Sequence, residues 1–164
     1  MRITKLGHCC LIIEEAGVRI MTDPGVYSTL QNEAQNINYI FITHEHSDHF
    51  HLESLKIVLK NNLRAKIVTN SAVGKLLDAE KIPYEILEHG DAKKFGAVSV
   101  EGFGEKHAVI YENFGQVVNT GYFFGSRFFY PGDAFYNPNK QVEILALPVA
   151  GPMGWASAPV DGRG

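Results

Sequence analysis

The hydrophobic pattern opens with β-structure. Ile3 to Glu15 is apolar with a break at Gly7-His8, and Gly17 supplies a turn before Val18 to Met21, which predicts strands joined as an antiparallel meander. Tyr39-Ile40-Phe41-Ile42 is a short, β-rich apolar run of the kind that is buried on both faces. Leu52, Leu55, Val58 and Leu59 then recur at helical spacing, with Ser47 or Asp48 placed to cap the helix. Lys66 to Thr69 reads as a strand, Ser71 as the cap of a helix carrying Val73, Leu76 and Leu77 on one face, and Tyr84 to Leu87 as a further strand. This strand-helix-strand-helix-strand order implies parallel pairing with helices covering the sheet. From Ala97 the pattern is β again: Val98 to Val100, Ala108 to Tyr111, a hairpin of Val117 to Phe124 and Arg127 to Tyr130 about Gly125-Ser126, and Ile144 to Leu147. The tail from Gly151 to Gly164 has no core-building pattern. The plan is mixed α+β / α/β, two sheets face to face with helices outside.

Composition narrows the class. A chain of 164 residues suffices for one domain, 1–164, and no Pro/Gly/Ser-rich linker divides it. With 45% hydrophobic and 20% charged residues it is an ordinary globular sequence rather than a disordered one. A net charge of −3 gives little reason to expect a polyanionic partner. Lys56, Lys60, Arg64 and Lys66 read as a solvated face, so nucleic acid is not favoured and a small-molecule substrate is expected. The only cysteines, Cys9 and Cys10, are adjacent in a predicted strand with side chains on opposite faces, so there is no disulfide framework. No leader pattern or membrane-spanning stretch is present, and a reducing, cytoplasmic location is the expectation. Oligomeric state leaves no signal.

The chemistry concentrates in Thr43-His44-Glu45-His46-Ser47-Asp48-His49, where a buried strand ends. Side chains alternate in an extended segment, so His44 and His46 can share one metal ion, while Asp48 and His49, beyond the turn, can reach a second. His107 at the mouth of a later strand would complete a three-imidazole site with an open fourth position. Asp133, after Pro131-Gly132, is either a turn former or, taken with the histidines, a carboxylate bridging two ions. His8 is a partner that orients a ligand or simply a polar strand end. Asp23, in Asp23-Pro24-Gly25, is a turn former or a buried acceptor for a ligand imidazole. His89 reads as exposed.

The motif His44-x-His46-x-Asp48-His49, His107 and Tyr130-Pro-Gly-Asp133, with Gly7-His8 and Thr22-Asp23-Pro24-Gly25 upstream, resembles the metallo-β-lactamase superfamily over nearly the whole chain. Within it the chain looks like the L-ascorbate-6-phosphate lactonase-like branch of metal-dependent hydrolases. The resemblance implies a four-layer αβ/βα sandwich. It also implies His44, His46 and His107 on one ion, Asp48 and His49 on the other, and Asp133 between them. The family's last helix, strand and metal-ligating His would lie past Leu147, and no His follows His107. The expectation is therefore a C-terminally incomplete domain, with the alternatives that the second site is weak or that another group such as His8, His51 or a neighbouring chain completes it. The ions, one or two, are expected to be Zn²⁺, with Mn²⁺ or Fe²⁺ open. The implied function is hydrolysis of a lactone, amide or phosphoester by a metal-bound hydroxide held by Asp48. A truncated metal-binding protein without turnover and a superfamily nuclease are the alternatives.

Overall fold

The computed structural model describes residues 1–109 and 116–149, in two sheets. Strands β1 (Arg2–Gly7), β2 (Cys10–Glu15) and β3 (Val18–Thr22) form the antiparallel meander, and β4 (Tyr39–Phe41), β5 (Lys66–Thr69) and β6 (Tyr84–Ile86) extend the same sheet in parallel. Helices α1 (Leu52–Asn61) and α2 (Ser71–Ala79) make the crossovers. The second sheet runs β11-β10-β9-β8-β7, with β7 (Ala92–Phe95), β8 (Val98–Phe103), β9 (Gly121–Phe124), β10 (Phe128–Tyr130) and β11 (Ile144–Leu145).

Side-chain alternation sorts the core into two layers. Leu11, Ile13, Ile20, Phe41 and Val68 face the second sheet and meet Val98, Val100, Tyr122, Phe124 and Phe128. Their neighbours Cys10, Ile12, Met21, Ile40, Ile42 and Ile67 face the other way, onto Leu55 and Val58 of α1 and Val73 and Leu77 of α2. Among the described residues, the α-helices cover only this first sheet, and no helix is long and apolar enough to cross a membrane.

Several local expectations change. Residues 46–50 form a turn of their own, closed by the His49 and Phe50 amides on the His46 carbonyl, so α1 starts at Leu52 with His51, not Ser47 or Asp48, as its N-cap. Asn70, not Ser71, caps α2, its Oδ1 accepting from the amides of Ala72 and Val73 at 3.1 Å each. Cys9 sits in the β1–β2 turn and only Cys10 lies in the strand. Strand β7 escapes hydropathy because Lys93 and Lys94 are exposed and only Phe95 is buried. Ala108 and Val109 are irregular; the rest of the run predicted to Tyr111, and the tail from Gly151, lie outside the described residues. The β9–β10 hairpin turns through Gly125 (φ 59°) and Ser126 (φ 55°), the left-handed pair that matches strand twist.

The parallel strands set up the site. β3, β4 and β5 end together and deliver Asp23, His44 and Asn70 to one edge, the end of a parallel sheet where ligands characteristically bind. Past β4 the chain leaves the ladder, so its carbonyls need new donors. Ile42 O accepts from Thr69 Oγ1 (2.9 Å) and Tyr122 Oη (3.0 Å), and Thr43 O from Asn70 Nδ2 (2.8 Å) and the Thr120 amide (3.0 Å). Both sheets thus grip the segment that carries the first histidine.

Candidate metal centre

The structure brings His44, His46 and His107 together. Their rings form a triangle with centroids 4.7–4.9 Å apart, and one nitrogen of each lies within 4.8 Å of the others. Asp48 and His49 lie alongside, grouped with His8 and Cys9, and Asp133 joins His44 and His49 in a third overlapping cluster. His51 faces away, its Nδ1 2.9 Å from Ser54 Oγ.

Hydrogen bonds fix which nitrogen of each ring faces inward. Asp23 is fully buried and accepts from the Thr43 amide (2.8 Å), Thr43 Oγ1 (2.7 Å), His49 Nδ1 (2.7 Å) and Tyr130 Oη (2.7 Å). Thr43 spends its only hydroxyl proton on Asp23, so at the 3.0 Å contact His44 Nδ1–H must donate to Thr43 Oγ1. His107 Nδ1 donates to the Ala108 carbonyl at 2.6 Å. In His44, His49 and His107 Nδ1 is occupied by a supporting acceptor, which turns Nε2 toward the cluster, the arrangement that orients imidazole toward a metal. Buried Nε2 of His44 and of His107 has no hydrogen-bond partner.

Electrostatics point the same way. Burial holds the His44 imidazole well below its usual pKa, with nearby His49 adding to the effect, and burial with His107 also lowers His46. Burial opposes charge on His49 too, but the negative charge of Asp23 and hydrogen bonds to Asp133 and Asp23 win, raising that imidazole well above its usual range. Burial resists ionisation of Asp133, yet hydrogen bonds with His107 and His49 hold its carboxyl well below the usual carboxylate range. Asp133 oxygens lie 3.3 Å from His49 Nε2 and 3.5 Å from His107 Nε2. Each contact needs a positive charge, which a proton on the imidazole supplies, and a divalent cation taking the place of those protons would meet that need for both at once. The donor set fits a metal centre.

Supporting residues lie far apart in sequence. Asn119 accepts from the Asp133 amide (3.0 Å) and donates to Pro131 O (2.8 Å), while the Ala108 amide donates to Asp133 O (2.8 Å) and so ties His107 to Asp133. Gly132 (φ 64°) lies where a Cβ would strike Asn119 and Thr43 at 2.5 and 2.8 Å. Sequence reasoning left Thr43, Asn70, Asn119 and Tyr130 without roles. Only Asn70, between a strand and a helix, carried a usable signal, that of an N-cap. Beside the cluster a cleft of about 540 Å³ is lined by the polar His8, Cys9, Asp48, His49 and Asp133 and by the apolar Leu11, Leu145 and Leu147.

Known proteins share this arrangement of chain. The family described as Beta-lactamase superfamily domain matches residues 2–159. Protein Rv0786c of Mycobacterium tuberculosis is 31% identical over 166 residues, covering 98% of this chain and 77% of its own. A UPF0173 metal-dependent hydrolase of Flavobacterium johnsoniae is 33% identical over 100 residues, 58% of this chain and 43% of that protein. The crystal structure of a protein assigned as a metal-dependent hydrolase from Parabacteroides distasonis superposes with a TM-score of 0.71 at 21% identity, covering 87% of this chain and 67% of that one, a likeness of fold. The chain therefore belongs to the metallo-β-lactamase superfamily, with UPF0173 metal-dependent hydrolases among its relatives.

Proposed function

We propose that the protein is a hydrolase whose divalent metal centre, at this edge of the sandwich, serves to open a lactone, amide or phosphoester bond in a small molecule. The observation that carries the reading is the pair of buried, unpartnered Nε2 atoms of His44 and His107 beside His46, since an apolar function would not leave such nitrogens bare. In this reading His44, His46 and His107 would hold one ion and Asp48 and His49 a second, with Asp133 placed beside His44 and His49 to serve either. Zinc suits this imidazole-rich set best, and Mn²⁺ and Fe²⁺ accept the same donors. Metal bound there would supply Lewis acidity, lowering the pKa of a bound water toward about 7 and polarising a substrate oxygen.

The chain's own residues do the rest. Asp48 lines the cleft with its Oδ2 held 3.0 Å from His8 Nε2, so it is oriented to hold the attacking water and take up its proton. Asp133 stays ionised and keeps the imidazoles of His49 and His107 aligned. Leu11, Leu145 and Leu147 present an apolar wall that sheds water and receives the carbon skeleton of the substrate.

Dialysis against a chelator, and separately His46→Ala, are expected to lower hydrolysis of a lactone, amide and phosphodiester panel by about 10³-fold or more, some 4 kcal/mol of barrier. His46 is half-exposed, so its loss spares the core. Turnover that survives both treatments would sink the reading.

Acid should strip the two ions in order. Metal ligands must be unprotonated. His44 is held low and resists protonation, whereas His49 is raised and keeps its proton to higher pH, where that proton competes with a cation. As pH falls from about 8 to about 5, metal analysis is expected to show the ion at His49 leaving first, with stoichiometry moving from two toward one. Simultaneous loss of both ions would contradict this order.

A further inference from the structure

We propose that Cys9 is a thiolate ligand of the second ion, joining Asp48 and His49 in a cysteine-containing site that His8 flanks through its bond to Asp48. This rests on the metal-centre reading above and adds to it a donor from the β1–β2 turn. The ligand atoms of these four residues all lie within 4.8 Å of one another. Cys9 Sγ is 3.1 Å from His49 Nε2, His8 Nε2 is 3.0 Å from Asp48 Oδ2, and His49 Nε2 is 3.7 Å from Asp48 Oδ2. Bond lengths of about 2.0–2.3 Å in a tetrahedron place donors roughly 3.3–3.8 Å apart, so the cluster needs only small shifts to close on an ion.

The turn is built to aim this sulfur. Thr22 Oγ1 donates to the Cys9 carbonyl (3.2 Å), and Tyr130 Oη lies 2.9 Å from it, sharing with it the one proton it gives Asp23, so the backbone is pinned; His8 takes a left-handed φ of 37° that a side chain rarely adopts. His8 also packs edge-on against Tyr27 and His49, with centroids 5.4 and 6.2 Å away. Cys10, one residue on, goes into the helix-side core instead. Cys9 lines the cleft, so an ion can reach it, and on binding its proton is released to solvent. A thiolate among imidazoles and a carboxylate favours zinc over manganese at this position, while the three-imidazole site remains without sulfur.

Cobalt tests this directly. The full chain, stripped with a chelator, is titrated with Co²⁺ and followed by absorption. The first equivalent is expected to give d–d bands only, and the second a thiolate-to-cobalt charge-transfer band in the near ultraviolet. Cys9→Ser should abolish that band and weaken the second ion by at least about tenfold, judged against the 10–100-fold typical of losing even an outer partner. The first ion's bands and the far-ultraviolet circular dichroism should stay unchanged. Alkylation of Cys9 should be blocked by two equivalents of Co²⁺ but not by one. Two bound ions without a charge-transfer band, or a band that persists in Cys9→Ser, overturns the thiolate and leaves the metal centre standing; failure to bind any Co²⁺ overturns both.

Discussion

Gly25→Ala is expected to displace the loop that carries Asp48 and His49 and to cost about 3 kcal/mol or more. A methyl group on Gly25 would lie 1.7 Å from the Asp48 carbonyl oxygen, 2.0 Å from its carbon and 2.7 Å from the His49 nitrogen. These are backbone atoms, so no side chain can rotate aside. Nor can the two segments part easily, because the Val26 amide donates to Ser47 O at 2.8 Å and the His51 amide to Pro24 O at 3.3 Å. Relief needs a movement on the order of 1.5 Å, enough to take His49 off Asp23 and Asp48 off His8. In a chain of this length the melting temperature should fall by roughly 6–12 °C, with loss of the second ion by metal analysis. Gly17→Ala is the control: a methyl there meets nothing within 4 Å and suffers only the left-handed φ of 77°, worth about 1 kcal/mol. Equal melting temperatures for the two variants would mean that the loops do not approach as closely as described.

What the sequence disclosed follows from how far each residue acts. His44 and His46 are two apart after a buried strand, and alternation alone puts them on one side. His107 and Asp133 gain roles only in combination with the histidine motif, which leaves a metal short of ligands, since a His at a strand mouth and a Gly-Asp pair are common anywhere; the fold brings both to the imidazole cluster. Residues that work by gripping others left little local trace. Asn119 makes its two bonds to Pro131 and Asp133, more than ten positions away, and Tyr130 reaches Asp23 across 107. Cys9 was obscured by a different cause. The hydrophobic pattern puts the break at Gly7-His8 and Cys9 inside the strand that follows, whereas the turn takes in both His8 and Cys9 and brings the sulfur to the cleft. Helix positions were legible and their caps were not, because the short turn over residues 46–50 separates Ser47 and Asp48 from α1.

Asp23→Ala should rank with the most damaging single changes in the protein, about 3–5 kcal/mol, and should act on metal as well as on folding. One carboxylate serves four donors, and its removal strands the Thr43 amide and hydroxyl and His49 Nδ1 in the interior at once, while Tyr130 Oη keeps only the Cys9 carbonyl. Asp23→Asn keeps the shape but offers one acceptor oxygen. With that oxygen toward the three side-chain donors, its NH₂ faces the Thr43 amide, donor against donor at 2.8 Å, so the cost falls to roughly 1–3 kcal/mol without vanishing. Tyr130→Phe removes a donor and leaves the acceptor with three partners, which should cost about 1 kcal/mol. Urea denaturation of the metal-free variants orders these effects, and titration with Zn²⁺ separates the second consequence. Without Asp23 only the long 3.4 Å contact to Thr43 Oγ1 remains at His49 Nδ1–H, so affinity at the ion held by His49 should drop by about 10–100-fold. The ion at His44 should weaken less, because Thr43 still accepts from His44 Nδ1 at 3.0 Å. If Asp23→Ala proved no worse than Tyr130→Phe, or weakened both ions equally, Asp23 would be an ordinary buried acid and the orientation of His49 would have some other source.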